Sequence, residues 1–477
     1  MKIAVATLVA VALAAPAMAF DVKWSGDFNN RFSVITDSSL FTNSGISSDT
    51  TNYYNVSDGV KARNFKKNEG DSDFFGDIKY RAMLTAADDD KKVKGVLGFE
   101  FGSRKYGATG ADFGGDDNVF ELQYAYTDFE VPFDNAARLS VGLQPVGYNK
   151  FVWSDNAGGV KYSATRGDLS YSLGWFRDEV SAAFTDEDKN NYDDVYGLDV
   201  VYKVSADLRL NAFVMYAEQG QESYTITAAK GPYAPGVFNP TTGVTAAPVA
   251  ATPALTAELQ DKEIWYGVAA DAQAGPIFLG GTFIYLDGTV DGETSTGDNV
   301  ALDRSAYLFN GEVSTKIDAA KIKLGYLYAS GDDNDDDNKL ENFDSIDVFT
   351  GGFGSAVLFA NLADDNAPIN SWYVMDKGLS LLYLGGDIDL NDKASVGASY
   401  LWWNTAQGID GEDAGGRGDT ELGHELAVRG SYKIATGLTA ALNAGYLWSG
   451  AAMDELQGKE NDADNVFRAD AGFRFKF

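Results

Sequence analysis

Five basic residues, Arg81, Arg138, Lys161, Arg177 and Arg209, fall on the same side of successive amphipathic segments. Acidic and amide groups share that side, among them Glu100, Glu121, Gln123, Asp199, Glu312 and Glu425. Charges of both signs along one face do not make or break bonds. Facing a water-filled space, they sort solutes at close range by electrostatics. A basic wall opposite acidic loop residues would set a transverse field across a pore. The stretch Pro145–Gly158 supplies the opposite side: it is rich in large side chains, and Tyr148, Lys150 and Asp155 are its candidates for a constriction.

Other chemistries find little support. The one histidine, His424, shares its parity with Leu422 and Leu426 on the apolar side of its segment, and so reads as an interface residue, not a base. No H-E-x-x-H, G-x-S-x-G or Walker pattern occurs, so no nucleophile is paired with an activating group. Cysteine is absent, which removes any disulfide scaffold. A formal charge of -32 argues against a nucleic-acid partner. Asp332, Asp333, Asp335 and Asp337, with Asn334 and Asn338, offer the oxygen ligands that Ca²⁺ seeks, although their spacing matches no EF-hand. Calcium is the one cofactor the sequence suggests, and none is required.

The elements that must position these groups are β-strands. Phe467, Ala469, Ala471, Phe473, Phe475 and Phe477 share one face of the last segment, and Arg468, Asp470, Arg474 and Lys476 share the other. At the start of the mature chain, Val22, Trp24, Gly26, Phe28, Phe32 and Val34 alternate in the same way. Apolar on one side and charged on the other suits a strand between lipid and water. In the same register, Phe120, Leu122, Tyr124 and Tyr126 face lipid. Segments of this kind recur to a total of about eighteen, with sixteen as the alternative. Most are near the roughly 9–11 residues of a tilted spanning strand. Their connections alternate between short and long, as in an outer-membrane barrel with tight periplasmic turns and long outer loops. Aromatic pairs such as Trp402 and Trp403, or Tyr446 and Trp448, stand where strands end, as interface girdles do. The fold expected is all-β, a closed transmembrane antiparallel β-barrel. Its inner charges are expected to face water, because burying so many would cost too much.

Residues 1–19 combine Lys2, an apolar run and Ala17-Met18-Ala19, the pattern of a cleaved export signal. Residues 20–477 then form a single barrel. Its long outer loops lie at 218–263, low in complexity, and at 330–378. The second carries an apolar part, Phe343 to Phe359, that would plug, line or cap the pore.

The strand Glu121 to Phe129, its turn, Leu139 to Gln144 and the following aromatic loop together resemble the general-diffusion porin superfamily of Gram-negative bacteria, in its homotrimeric type. The resemblance implies a third loop, about 145–157, folded inward as an eyelet facing Arg81 and Arg138. It implies a terminal Phe473, Phe475, Phe477 signal read by the outer-membrane insertion machinery. It also implies homotrimers among outer-membrane lipid and lipopolysaccharide, passing small hydrophilic solutes. General porins of this type have sixteen strands and substrate-specific ones eighteen. Three functions therefore stand open: a passive porin, a substrate-selective channel for a sugar or small organic anion, and a structural or adhesive surface barrel.

Overall fold

In the computed structural model, the residues described are 20–36, 53–55, 60–62, 73–106, 120–180, 192–218, 222–226, 255–294, 299–334, 337–348, 350–359, 369, 371–409, 418–457 and 463–477. The expected export signal and most of the 218–263 loop lie outside them. Eighteen spanning strands follow one another: β1 (Phe20–Ile35), β2 (Asp73–Asp88), β3 (Val93–Lys105), β4 (Phe120–Val131), β5 (Asp134–Asn149) and β6 (Trp153–Arg166). Then come β7 (Leu169–Val180), β8 (Tyr192–Lys203), β9 (Leu208–Glu218), β10 (Leu255–Ala274), β11 (Ile277–Thr294) and β12 (Asn299–Ile317). The circuit finishes with β13 (Ala320–Ala329), β14 (Leu379–Asp389), β15 (Ala394–Ile409), β16 (Asp419–Ala435), β17 (Leu438–Ser449) and β18 (Val466–Lys476). A short helix, α1 (Ala451–Gln457), follows β17.

Each strand pairs antiparallel with the next, and β18 returns to β1 in the register Asp27↔Lys476 through Ile35↔Arg468. Phe477 completes the seam by exchanging backbone hydrogen bonds with Gly26, both at 3.1 Å. No edge is left unpaired, as a sheet in lipid requires. The short turns include left-handed residues at Lys91, Gly167, Gly275, Asp318 and Gly437, the backbone that tight hairpins need. Outside, a belt of apolar side chains runs around the cylinder, including Trp24, Leu173, Val268, Phe283, Leu384 and Leu442, all exposed. A belt of this extent needs lipid against it.

The structure corrects the sequence reading in five places. Residues 145–157 are not an irregular loop. β5 and β6 continue through them as a hairpin, with Pro145 opposite Asn156 and Asn149 opposite Trp153, and only residues 150–152 turn. Tyr124 and Tyr126 do not face lipid. A bulge opposite Gly98 and Phe99 shifts the register so that Tyr124 pairs with Gly98, which moves both tyrosines to the lumen side. Leu422 and His424 do not share a side. Gly423, at φ +133°, breaks the alternation, so Leu422 is buried inside while His424 stays outside, stacked on Tyr400 and Trp402. Trp403, assigned to a girdle with Trp402, is buried inside.

The fifth correction concerns the lumen, whose charges do not all face water. Arg31 and Asp77 form a buried pair with contacts of 2.6 and 3.0 Å, and Arg468 binds Asp470 at 3.0 Å. Arg304 is held among Asp261 (2.6 Å), Glu263 (2.9 Å) and Asp344 (3.4 Å). Opposite charges in direct contact, with further hydrogen bonds, are what make such burial tolerable. Over much of the circumference the inner wall is also apolar. Phe176, Phe213, Met215, Trp265, Leu286, Leu308, Leu381, Leu401, Trp403 and Leu447 join one core with residues of the hairpin and the seventh loop.

Candidate pore constriction

The hairpin tip bends into the barrel because two mid-strand glycines make room for it. Tyr148 donates to the Gly197 carbonyl at 3.2 Å. A Cβ on Gly197 would stand 2.5 Å from the Tyr148 ring, and one on Gly174 would stand 2.6 Å from its hydroxyl. The phenol, buried, packs edge-on to Phe176. Tyr148 thus anchors the tip to the wall and does not point into open channel.

The described residues of the seventh outer loop (330–334, 337–348, 350–359, 369 and 371–378) pack inside the barrel and bind the same tip. Ile346 N donates to Val152 O and Ser154 N to Asp347 O, each at 2.9 Å, as does Trp372 Nε1 to Phe151 O. Its other contacts reach the wall. Glu425, fully buried, accepts from Ala356 N (2.6 Å), Val357 N (2.9 Å), Ser355 Oγ (2.8 Å) and Trp403 Nε1 (3.2 Å). Trp265 Nε1 donates to Asp344 O at 3.0 Å, and Lys323 Nζ to Gly352 O at 2.8 Å. Phe353 meets Tyr383 edge-on at 5.1 Å, and Phe359 meets Trp403 at 4.8 Å. Hairpin and loop therefore make one packed body, joined to the strands between β7 and β17.

A polar cleft of about 660 Å³ lies between this body and the early strands. The wall contributes Lys79, Arg81, Glu100, Glu121 and Gln123, and the inner body contributes Ser154, Asp155, Asn156 and Asp347. Glu100 bridges Lys79 (2.9 Å) and Arg81 (2.5 Å) and also accepts from Gln123. Burial and the neighbouring Asp155 carboxylate push Asp347 up to about 6. Such an arrangement can bind and sort hydroxyl-bearing or charged solutes.

Of the residues proposed from sequence, Arg81 and Asp155 meet in this cleft. Lys150 lies at the hairpin tip, 4.7 Å from the Phe151 ring centre and 5.7 Å from that of Phe353. Arg138 instead binds Asp128 and the Lys91 and Lys92 carbonyls at the turn end of the barrel. Arg177 holds Asp194 through two contacts, at 2.8 and 2.9 Å. Lys161 pairs with Gly174 along β6, and Arg209 adjoins the turn before β9. The five basic residues therefore do not converge. Phe473, Phe475 and Phe477 are exposed on the outer face at the seam, where Phe28 stacks on Phe475 and Phe477. Asp335 lies outside the described residues, and no three metal-ligating side chains converge among those described.

The seventh-loop contacts were missed from sequence, although a signal for them exists. Ile264-Trp265-Tyr266, Phe283 to Leu286, Leu381 to Leu384 and Leu401-Trp402-Trp403 are continuous apolar runs, not alternations. Such runs mark strands buried on both faces.

Comparison with known proteins agrees with this architecture. OccK8 (OprE) of Pseudomonas aeruginosa superposes with a TM-score of 0.51 at 12% identity, over 96% of this chain and 98% of that one. OmpT of Vibrio cholerae, solved in a trimer form, gives 0.43 at 12% identity, over 96% and 100%. At that identity the likeness to OccK8 concerns the fold alone. No curated protein matches. The sequence profile described as alginate export matches residues 116–467, most of the barrel and both segments that cross its lumen. A closed eighteen-stranded cylinder with an apolar belt, matched over that length, makes this chain a channel-forming outer-membrane β-barrel that belongs to the alginate export family.

Proposed function

We propose that this chain is a substrate-selective channel for a saccharide or a small organic anion, not a general-diffusion porin. The supporting observation is the body formed by the hairpin and the seventh loop. A wide, open lumen would pass solutes by size alone, whereas a packed body leaves a polar cleft of about 660 Å³. Carboxylate, amide and guanidinium groups facing each other in a small space suit a hydroxyl-rich solute. The family's description makes a uronate saccharide the first solute to try.

The test is ion current through the protein in a planar bilayer, with added oligouronates, neutral oligosaccharides or small organic acids. Concentration-dependent block by one class supports the reading. Steady current unaffected by all three returns the chain to general diffusion, and a silent bilayer favours a structural barrel. Cleavage after Ala19, homotrimeric assembly, lipopolysaccharide contact and recognition of the terminal phenylalanines by the insertion machinery belong to the same proposal. Their support is the sequence pattern and the porin resemblance. Calcium at Asp332, Asp333, Asp335 and Asp337 rests on the sequence pattern alone.

A further inference from the structure

The cleft has unequal sides. On the wall, one carboxylate, Glu100, contacts both cations, Lys79 and Arg81. On the inner body stand Asp155 and Asp347, neither with a lysine or arginine nitrogen within 4.0 Å among the described residues. Glu121 adds a further carboxylate to the wall. Among the described residues that line the cleft, two are cationic and four are acidic.

Backbone geometry keeps the two aspartates together. Trp153 and Asp347 form a parallel bridge, Ser154 N donates to Asp347 O, and Ile346 N donates to Val152 O. Asp155 follows directly on the hairpin strand. The carboxylates cannot separate unless the hairpin and the seventh loop part, so their charge faces the cleft permanently.

We propose that Asp155 and Asp347 are the charge-selecting residues of this channel, making the cleft prefer cations and cation-bearing solutes such as ammonium and guanidinium compounds over anions. Negative charge fixed in a narrow passage with low-dielectric walls concentrates counter-ions there. The charge also depends on pH. The groups facing the pair are Lys79 and Arg81 from β2, Glu100 from β3, and Glu121 and Tyr124 from β4. Lysine and arginine stay charged through the neutral range, so Asp347, at about 6, is the group that changes. Above that pH Asp347 is ionised and adds its charge to the cleft, and below it Asp347 carries a proton and that charge is lost. Cation preference therefore rises as pH rises through about 6. An acidic saccharide enters this cleft more readily when its charge is screened by bound cations or the medium is acid.

The full-length protein in a planar bilayer under a KCl gradient tests this by its reversal potential. The unsubstituted channel is expected to prefer K⁺ at pH 8, by roughly tenfold, and to lose much of that preference by pH 5. Asp347→Asn should abolish the step near pH 6, and the double variant with Asp155→Asn should bring the ratio near unity. Anion preference at pH 8, or a double variant as cation-selective as the parent, overturns the proposal. The pH series on the unsubstituted protein needs no variant to fold. Block by saccharides is read separately, so loss of the saccharide reading leaves charge selection standing, and the reverse.

Discussion

Removing the Glu425 carboxylate should release the seventh loop from the wall. The side chain is fully buried and accepts two backbone N–H groups, a hydroxyl and an indole N–H, at 2.6–3.2 Å. No lysine or arginine nitrogen lies within 4.0 Å of it among the described residues. Its two oxygens are therefore satisfied by those donors. In Glu425→Ala, Ala356 N and Val357 N lose their acceptor in a dry site, at about 1–3 kcal/mol for each stranded donor. With Ser355 and Trp403 partly recovering other partners, the docked loop weakens by roughly 3–5 kcal/mol. At about 1.4 kcal/mol per decade, the undocked population grows by a factor of about 10² to 10³. The ladders of β15, β16 and β17 are untouched, so the barrel should keep its gel mobility in detergent before heating. Single-channel recording should show a larger mean conductance with added flicker, and amide exchange at Ala356 and Val357 should accelerate. Glu425→Gln, which keeps one acceptor oxygen and the volume, should lie between parent and alanine variant. A Glu425→Ala channel with unchanged conductance, noise and exchange would refute this account of the latch.

Other perturbations separate the two halves of the inner body. Gly197→Val places side-chain atoms in the Tyr148 ring, so it should push out the hairpin tip and raise tryptophan exposure to aqueous quenchers. Adding Tyr148→Ala should restore the parent quenching, and failure of that rescue would show that the glycine acts elsewhere. Arg304→Met leaves Asp261, Glu263 and Asp344 without their shared cation, a loss of about 3–5 kcal/mol, visible as a lower unfolding midpoint. Burial pushes Asp344 up, so its neutral form favours the folded state. Its contribution is complete at low pH and is lost as pH rises, and the Arg304→Met defect should shrink on acidification. The same sign applies at the hairpin–loop contact. With Asp347 at about 6, the stability it contributes is present below the ordinary carboxylate range and lost as pH rises through 6. Amide exchange at Ile346 and Ser154 should be slower at pH 5 than at pH 8, after correction for the intrinsic pH dependence of exchange.

The barrel itself was legible because its signal is local. Period-2 alternation, loop lengths and the two amphipathic ends are properties of short windows, and each spanning strand lies where such a window placed it. Register errors came from bulges. At Leu122–Gln123 and at Gly423 one residue changes which face its neighbours occupy, and a composition pattern does not show where the extra residue sits. Lumen charges were read as wetted because a barrel of this width was assumed open. Arg31 with Asp77 and Arg304 with its three acids are instead pairs whose partners are 46 and 40–43 residues away. The candidate site was half legible. Arg81 and Asp155 were placed in it by parity and loop position, whereas Asp347 was not singled out, and Glu425, read as facing water, is buried beneath the seventh loop.

By itself, the sequence determined the fold class, the strand order, the closure of Phe20–Ile35 on Val466–Lys476 and, away from the bulges, which face meets lipid, while the choice between sixteen and eighteen strands fell to the structure. These follow from how each segment divides between lipid and polar surroundings, a choice made residue by residue. Tertiary structure alone decided what fills the cylinder. Phe151 meets Trp372 across 221 positions, and Glu425 reaches back some 70 to Ser355–Val357. An inward side chain becomes core or pore lining according to whether a distant loop covers it. Where the seventh loop packs, the wall is dry and fixed. Where it does not, Arg81 faces Asp155 and Asp347 across the cleft.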